Sequence, residues 1–287
     1  MNEHLEKNLL SDKIEQEKNL EALIGDLREF SSLDSFSGEE MAIRGRLKSI
    51  LESLGMDCSV DDKGNLWAKS RDENQRRVLV CAHMDKVGRG EKAVLEKDRL
   101  RGRLDDALGL SIILQLIRKG LRPSVLFTVE EESEREVEQG GQTHLEARTL
   151  PDGVYNAGAR YAAEKLAAET DKPKLIIVVD VTRMGNVGDG PIVYTSSGLK
   201  KPGKQFYFPA AMLKKIAKII HPKKPGVSYA EGNANDSIEF TFVPDVGVLA
   251  VEIPVENNHT PHEEASIEDV EKSIEVLRSI VSNADQL

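Results

Sequence analysis

The chain has 287 residues, 39% of them hydrophobic, which is enough to bury a sizeable core, and a single large α/β domain is the default expectation. Its 39 basic and 49 acidic residues give a formal net charge of −10, which argues against nucleic acid or an anionic membrane surface as the main partner. No apolar run approaches the ~18 residues of a spanning helix, and the N-terminus lacks a signal-peptide core, so we expect a cytoplasmic protein.

The first seventy residues predict helices and then a pair of strands. Apolar residues recur at helical spacing over residues about 4–30, which indicates an N-terminal helical segment of one or two amphipathic helices. A further helix is predicted over Ile43–Leu54, before Gly55. A short strand, a turn at Asp61–Asn65 and a strand at Leu66–Lys69 follow.

The next strand is the most informative stretch of the chain. Val78–Asp85 reads VLVCAHMD, an apolar run that ends in polar residues, as is typical of a buried strand. Side chains two apart on a strand point the same way, so His83 and Asp85 are expected to project together from its carboxyl end. A histidine with a carboxylate in reach is the pattern of a metal ligand and its orienting partner.

Three later strands also lead to polar residues. A hairpin is predicted at Lys86–Arg103 and a buried helix from Leu108 to Ile117. The three predicted strands that come after them lead to acidic residues or a histidine: Leu121–Val129 to Glu130, Glu131 and Glu132, Leu175–Val179 to Asp180, and Val246–Ile253 to His259. A closing helix begins at Ser266, with Asp269 as its predicted capping-box partner. Residues about 134–156 are polar and contain Gly140-Gly141 and Pro151, which indicates an inserted, ordered loop or lid.

The carboxyl ends of strands in an open α/β sheet meet at one edge, so these segments are expected to converge there. The convergent set is His83, Asp85, Asp105, Glu131, Glu132, Asp180 and His259. Histidines with carboxylates and no cysteine suit zinc, and also cobalt or manganese. Five carboxylates packed together would repel one another, and two divalent cations offset that charge better than one.

These motifs resemble a known superfamily. His83-Met-Asp85, Leu104-Asp105-Asp106, the Phe127–Glu132 run, Val179-Asp180 and His259-Thr-Pro-His-Glu263 are similar, in order and context, to those of the co-catalytic dinuclear zinc exopeptidases. That superfamily includes tetrahedral and leucyl aminopeptidases, acylases, peptidase T and desuccinylases. The resemblance implies a three-layer αβα sandwich around a mixed, mostly parallel sheet.

The resemblance also implies roles for the convergent residues. One ion would be held by His83, Asp105 and Asp180, and the other by Asp105, Glu132 and His259, with Asp105 bridging. Asp85 would orient His83, Glu131 would act as general base, and the Asp105–Asp106 peptide is a candidate for the cis form. His262, three residues after His259, is the competing ligand.

The chain also departs from these relatives. Only 22 positions separate His83 from Asp105, and 79 separate Asp180 from His259, so neither a dimerisation domain nor a lid domain fits, and we expect a catalytic domain only, over residues 1–287. The predicted function is an aminopeptidase or dipeptidase acting on peptides. An N-acyl-amino-acid deacylase and a non-catalytic peptide-binding relative remain alternatives. The substrate, the oligomeric state and the role of Asp236, in the turn or on the substrate, stay open.

Overall fold

The structure, a computed structural model, describes residues 3–132, 134–139, 142–147, 155–197, 206–207, 210–220, 226–231 and 235–287. Its strands are β1 (Asp57–Val60), β2 (Leu66–Lys69), β3 (Val78–His83), β4 (Val94–Glu96), β5 (Arg99–Gly102), β6 (Ser124–Thr128), β7 (Glu134–Gln139), β8 (Gln142–Ala147), β9 (Leu175–Thr182), β10 (Ile192–Tyr194), β11 (Ser196–Ser197), β12 (Phe206–Tyr207), β13 (Ser228–Ala230), β14 (Gly247–Glu256) and β15 (Glu263–Ser266). Its α-helices are α1 (Glu3–Ser32), α2 (Met41–Ser53), α3 (Ala107–Arg118), α4 (Ala157–Ala168), α5 (Ala210–Ile220), α6 (Ser237–Phe240) and α7 (Ile267–Ser282). Within these ranges no helix is both long and apolar enough to cross a bilayer.

One large mixed sheet organises the fold. Along it the strands run in the order β1-β2-β6-β3-β9-β14-β15-β5-β4, with β10 and β13 attached beside β14. The central strands β6, β3, β9 and β14 are parallel, and the outer pairs are antiparallel. Because the parallel strands end at the same edge, the residues that follow them lie close together.

Helices cover both faces of the sheet, which confirms the predicted α/β sandwich. Alternate residues of β3 and β9 face opposite layers: Val80 and Ile177 pack with α1, α2, α3 and α7, while Cys81 and Val178 pack with α4 and α6. Cys81 is a buried free thiol, in agreement with its place inside the strand.

The N-terminal segment is a single helix, α1, which is one of the two forms that the sequence left open. The structure differs from the sequence-based expectations in two places. The polar insertion, expected to be a loop, contains the hairpin β7–β8, in which Gln139 pairs with Gln142 across the Gly140-Gly141 positions. The carboxylate of Asp269 does not complete a capping box, because it accepts hydrogen bonds from the backbone N–H groups of Gly188 and Gly190, at 2.6 and 2.8 Å.

Candidate metal centre

The carboxyl ends of β3 and β9 place His83 and Asp180 side by side. His83 Nε2 lies 3.1 Å from Asp105 Oδ1 and 3.6 Å from Asp180 Oδ1. The other ring nitrogen, Nδ1, lies 3.0 Å from the backbone carbonyl oxygen of Asp85 and 3.5 Å from its carboxylate. All four side chains are buried, so Asp85 fixes the ring from one side while the opposite nitrogen faces two carboxylates.

A second group forms around the other oxygen of Asp105. His259 Nε2 lies 3.5 Å from Asp105 Oδ2 and 3.7 Å from Glu132 Oε2. Ligand atoms of Asp105, Glu132 and His259 all lie within 4.8 Å of one another, close enough to share one ion. Asp105 therefore turns one oxygen toward His83 and the other toward His259, which is the arrangement that a bridging carboxylate needs.

Asp85 also holds the two acids that follow β6. Its Oδ1 accepts the backbone N–H of Glu131 at 2.9 Å, and its Oδ2 accepts that of Glu132 at 3.0 Å. The hydroxyl of Ser37 donates to the same carboxylate. Sequence reasoning gave Asp85 only the task of orienting His83, whereas the structure shows that it fixes the position of the acid pair as well.

The chain turns at Glu130, which separates its side chain from the two acids after it. Glu130 has a left-handed backbone with φ of 55°, an uncommon conformation for a residue other than glycine. Its carboxylate pairs with Lys63 at 2.9 Å, and its N–H bonds to Glu40 Oε1. By contrast, Glu131 and Glu132 group with His83, so the turn directs these two acids toward the cluster.

Asp106 is an acid of the cluster to which the sequence assigned no role. The peptide bond between Asp105 and Asp106 is cis, the form that the resemblance implied. Asp106 Oδ1 accepts from the Gly109 N–H at 2.8 Å and so caps α3. A ligand atom of Asp106 also lies within 4.8 Å of ligand atoms of His83 and Asp180, so Asp106 adds a carboxylate to the group around His83.

A turn at Asn235 and Asp236 contacts two of the central strands, β6 and β14. Asp236 Oδ2 accepts from Thr128 Oγ1 of β6 at 2.5 Å, and Asn235 Nδ2 donates to Glu252 Oε1 of β14 at 2.9 Å. These contacts span the four central strands, including those that carry His83 and Asp180. Asp236 is buried, and its hydrogen bond favours the interpretation that it shapes the turn rather than contacts a substrate.

Two other histidines, His262 and His144, belong to none of the groups of possible metal ligands that the described residues form. His262 is exposed, and its backbone N–H bonds to Thr260 Oγ1, so His259 is the histidine of this loop that faces the acids. His259 itself has a φ of 64°. A left-handed backbone of this kind costs about 1–3 kcal/mol and persists only where surrounding contacts enforce it. His144 is exposed on β8.

The charges of the cluster suit divalent cations. Burial raises the pKa of Glu131 and of Glu132 well above the usual range, and the carboxylate of Asp105 adds to the effect on Glu132. Burial lowers the pKa of His83, but hydrogen bonds to Asp105 and Asp180 outweigh it and raise that pKa well above its ordinary value. In the protein alone, protons must balance the crowded carboxylates, whereas divalent ions on these oxygen and nitrogen donors would remove that need.

Comparisons with known proteins identify the family and the fold of this chain. The model of the peptidase family M20/M25/M40 matches residues 79–283. The aminopeptidase APDkam598 from Desulfurococcus kamchatkensis superposes with a TM-score of 0.71 at 13% identity, over 92% of this chain and 96% of that chain. The TET1 peptidase of Pyrococcus horikoshii gives 0.66 at 15%, over 90% and 99%, and the aminopeptidase PepT of Bacillus cereus gives 0.67 at 14%, over 92% and 98%. These structural matches show a shared fold, and the family match, which covers most of the chain, shows that the protein belongs to the peptidase family M20/M25/M40.

Proposed function

We propose that this protein is a metal-dependent exopeptidase that removes residues from the amino terminus of short peptides or cleaves dipeptides. The observation that carries the proposal is the convergence of Asp105, Glu132 and His259 within 4.8 Å, directly beside His83 and its own acids. The names of the structural neighbours, two aminopeptidases and a peptidase, support a peptide substrate.

We assign the residues to two ions. His83, Asp105 and Asp180 would hold one, and Asp105, Glu132 and His259 the other. Zinc suits these donors best, with cobalt or manganese as alternatives. Two such ions, when bound, would polarise the scissile carbonyl and lower the pKa of a water.

Glu131 is assigned the proton transfers. Its backbone is fixed by Asp85 through the 2.9 Å hydrogen bond, and its side chain groups with His83 and Glu132. The raised pKa of Glu131, caused first by burial, suits a carboxylate that takes the proton of the attacking water and then donates it to the leaving amine nitrogen.

We also propose that the β7–β8 hairpin limits substrate length. The Glu136 N–H donates to the carbonyl oxygen of Val87 at 2.6 Å, and the Glu136 carboxylate pairs with the buried Arg103 at 2.8 Å. The Arg135 guanidinium lies 5.0 Å from the centre of the Phe36 ring. Val87 is four residues after His83, and Arg103 is two before Asp105, so the hairpin is anchored on the segment that follows β3 and on the segment that leads to Asp105. A wall in this position would favour short peptides.

The proposal is tested with chelator-treated protein reloaded with zinc, cobalt or manganese in turn. The substrates are leucine p-nitroanilide, unblocked di- and tripeptides, an N-acetylated peptide and an N-acetyl amino acid. We expect metal-dependent hydrolysis of the unblocked substrates and none of the N-acetylated ones. The proposal would be contradicted if turnover persisted in protein from which, by elemental analysis, the metal had been removed. Cleavage restricted to the N-acetyl amino acid would identify a deacylase instead.

A further inference from the structure

A single buried carboxylate connects the two loops that carry Asp105 and His259. Glu263, the first residue of β15, is completely buried. Its Oε2 accepts the backbone N–H groups of Leu104 and Asp105 at 2.5 and 3.0 Å. Its Oε1 accepts the backbone N–H of His259 at 2.8 Å.

The position of Glu263 follows from strand pairing. β15 is antiparallel to β5, with Glu263 opposite Gly102, so the Glu263 side chain lies next to the chain that leaves β5 toward Asp105. On the other side, only three residues separate Glu263 from His259. Asp105 and His259 follow their strands on irregular connections, where no ladder of backbone hydrogen bonds fixes their spacing, and the carboxylate supplies that connection.

The backbone of His259 depends on such a contact. Its φ of 64° is a conformation that residues with a side chain rarely adopt, and the hydrogen bond to Glu263 holds its N–H in place. Both carboxylate oxygens of Glu263 already accept backbone N–H groups, so Glu263 is placed to hold the ligands rather than to act as one.

We infer that Glu263 is a positioning residue that sets the affinity of the ion shared by Asp105, Glu132 and His259. This inference rests on the proposed metal-dependent function. A ligand pair held at fixed spacing binds a cation better than the same pair on loops that can separate, because binding then orders fewer groups. The ion beside His83 retains Asp180, on a regular strand, and so should depend less on Glu263.

The test measures zinc binding to chelator-treated protein by equilibrium dialysis with elemental analysis. Glu263→Gln keeps the shape of the side chain but sets an amide donor against backbone donors. Glu263→Asp keeps the charge but is one methylene shorter. We expect both variants to bind one of the two ions at least tenfold more weakly, with the other ion within threefold of the wild type. Glu264→Gln, the adjacent residue on the same strand, is the matched control and should bind both ions normally.

The dependence of activity on zinc concentration separates positioning from a merely structural role. Excess zinc should restore kcat of Glu263→Gln toward the wild-type value, because the weakened site can still be filled. The inference would be overturned if the Glu263 variants bound both ions with wild-type affinity, or if they lost affinity for both ions equally. Normal binding by Glu263→Asp alone would also overturn it. The last result would show that charge, not position, is what Glu263 supplies.

Two further variants distinguish a failed inference from a failed proposed function. His83→Ala and His259→Ala should each weaken one ion. If neither does, the proposed metal centre is wrong. If both do while the Glu263 variants bind normally, only the inference about Glu263 is wrong.

Discussion

We expect the buried Lys86 to make the free energy of unfolding depend on pH, with a direction and a size that follow from its surroundings. The side chain is 1% exposed, and its ammonium donates to the carbonyl oxygens of Phe30 and Leu33, at 2.5 and 2.8 Å. These carbonyls lie at the C-terminal end of α1, where a cation interacts favourably with the helix dipole. Burial first, and then the nearby Arg103, nevertheless lower the pKa of Lys86 from 10.5 to about 7. Asp34, Glu263 and Asp105 act in the opposite direction.

The direction of the pH dependence follows from the number of protons that Lys86 binds in the folded and in the unfolded state. Above about pH 7 the native side chain loses its proton, while the unfolded chain keeps it until the ordinary lysine pKa of 10.5. The unfolded state therefore binds more protons in this window, and the Lys86 contribution to the free energy of unfolding rises with pH. Between pH 7 and pH 9 the increase amounts to roughly 2 kcal/mol.

The perturbation is Lys86→Met, which keeps an unbranched side chain that is one atom shorter and removes the titrating ammonium. Urea unfolding of wild type and variant is followed by circular dichroism at pH 7, 8 and 9, with the free metal concentration held the same throughout. The stability difference should move by about 2 kcal/mol in favour of the wild type as the pH rises. Groups common to both proteins cancel, and Lys69→Met, at an exposed lysine, is the matched control for the same substitution away from the core. A stability difference between wild type and Lys86→Met that stays constant from pH 7 to pH 9 would contradict this prediction.

Three further predictions concern the site. Saturating zinc should raise the melting temperature, because each ion present at 1,000-fold its Kd adds about 4 kcal/mol to the free energy of unfolding. An unchanged midpoint after verified metal removal would count against the site. Replacing residues 134–156 with a short glycine-containing turn should admit longer peptides and leave hydrolysis of a small aminoacyl anilide within about tenfold; loss of all activity with metal content intact would show that the insertion carries a catalytic group. Glu130→Gln should lower the free energy of unfolding by less than ~1 kcal/mol and change activity little, because it removes only the partly exposed ion pair with Lys63. Glu132→Gln should instead weaken the binding of one ion. If Glu132→Gln had no effect and Glu130→Gln were inactive, the roles of the acids would be assigned one residue out of register.

Local patterns in the sequence were sufficient to predict much of the fold. The apolar run before His83 predicted a fully buried strand, and β3 is buried at every position. The apolar positions from Leu108 to Ile117 predicted a buried helix, and α3 is buried over that whole stretch. In both cases the pattern is repeated over several residues, so one exception does not change the prediction.

Contacts between distant segments account for what the sequence could not predict. Nothing local to Glu263 shows that its partners are 158 and 159 residues away, because that depends on the pairing of β15 with β5. Asp269 occupies a capping-box position, but a distant glycine turn takes its carboxylate. The hairpin is a different case: the Gly140-Gly141 pair is a known signal for a two-residue connection, and the polar strands on either side obscured it.

We propose that Glu131 transfers protons at a site that holds two divalent ions. The most direct test is Glu131→Gln, measured for bound zinc per chain and for hydrolysis of an unblocked dipeptide. We expect two bound ions, as in the wild type, and a rate lower by about 10²–10⁴-fold, the usual contribution of a general base. Activity within tenfold of the wild type, with both ions bound, would contradict it.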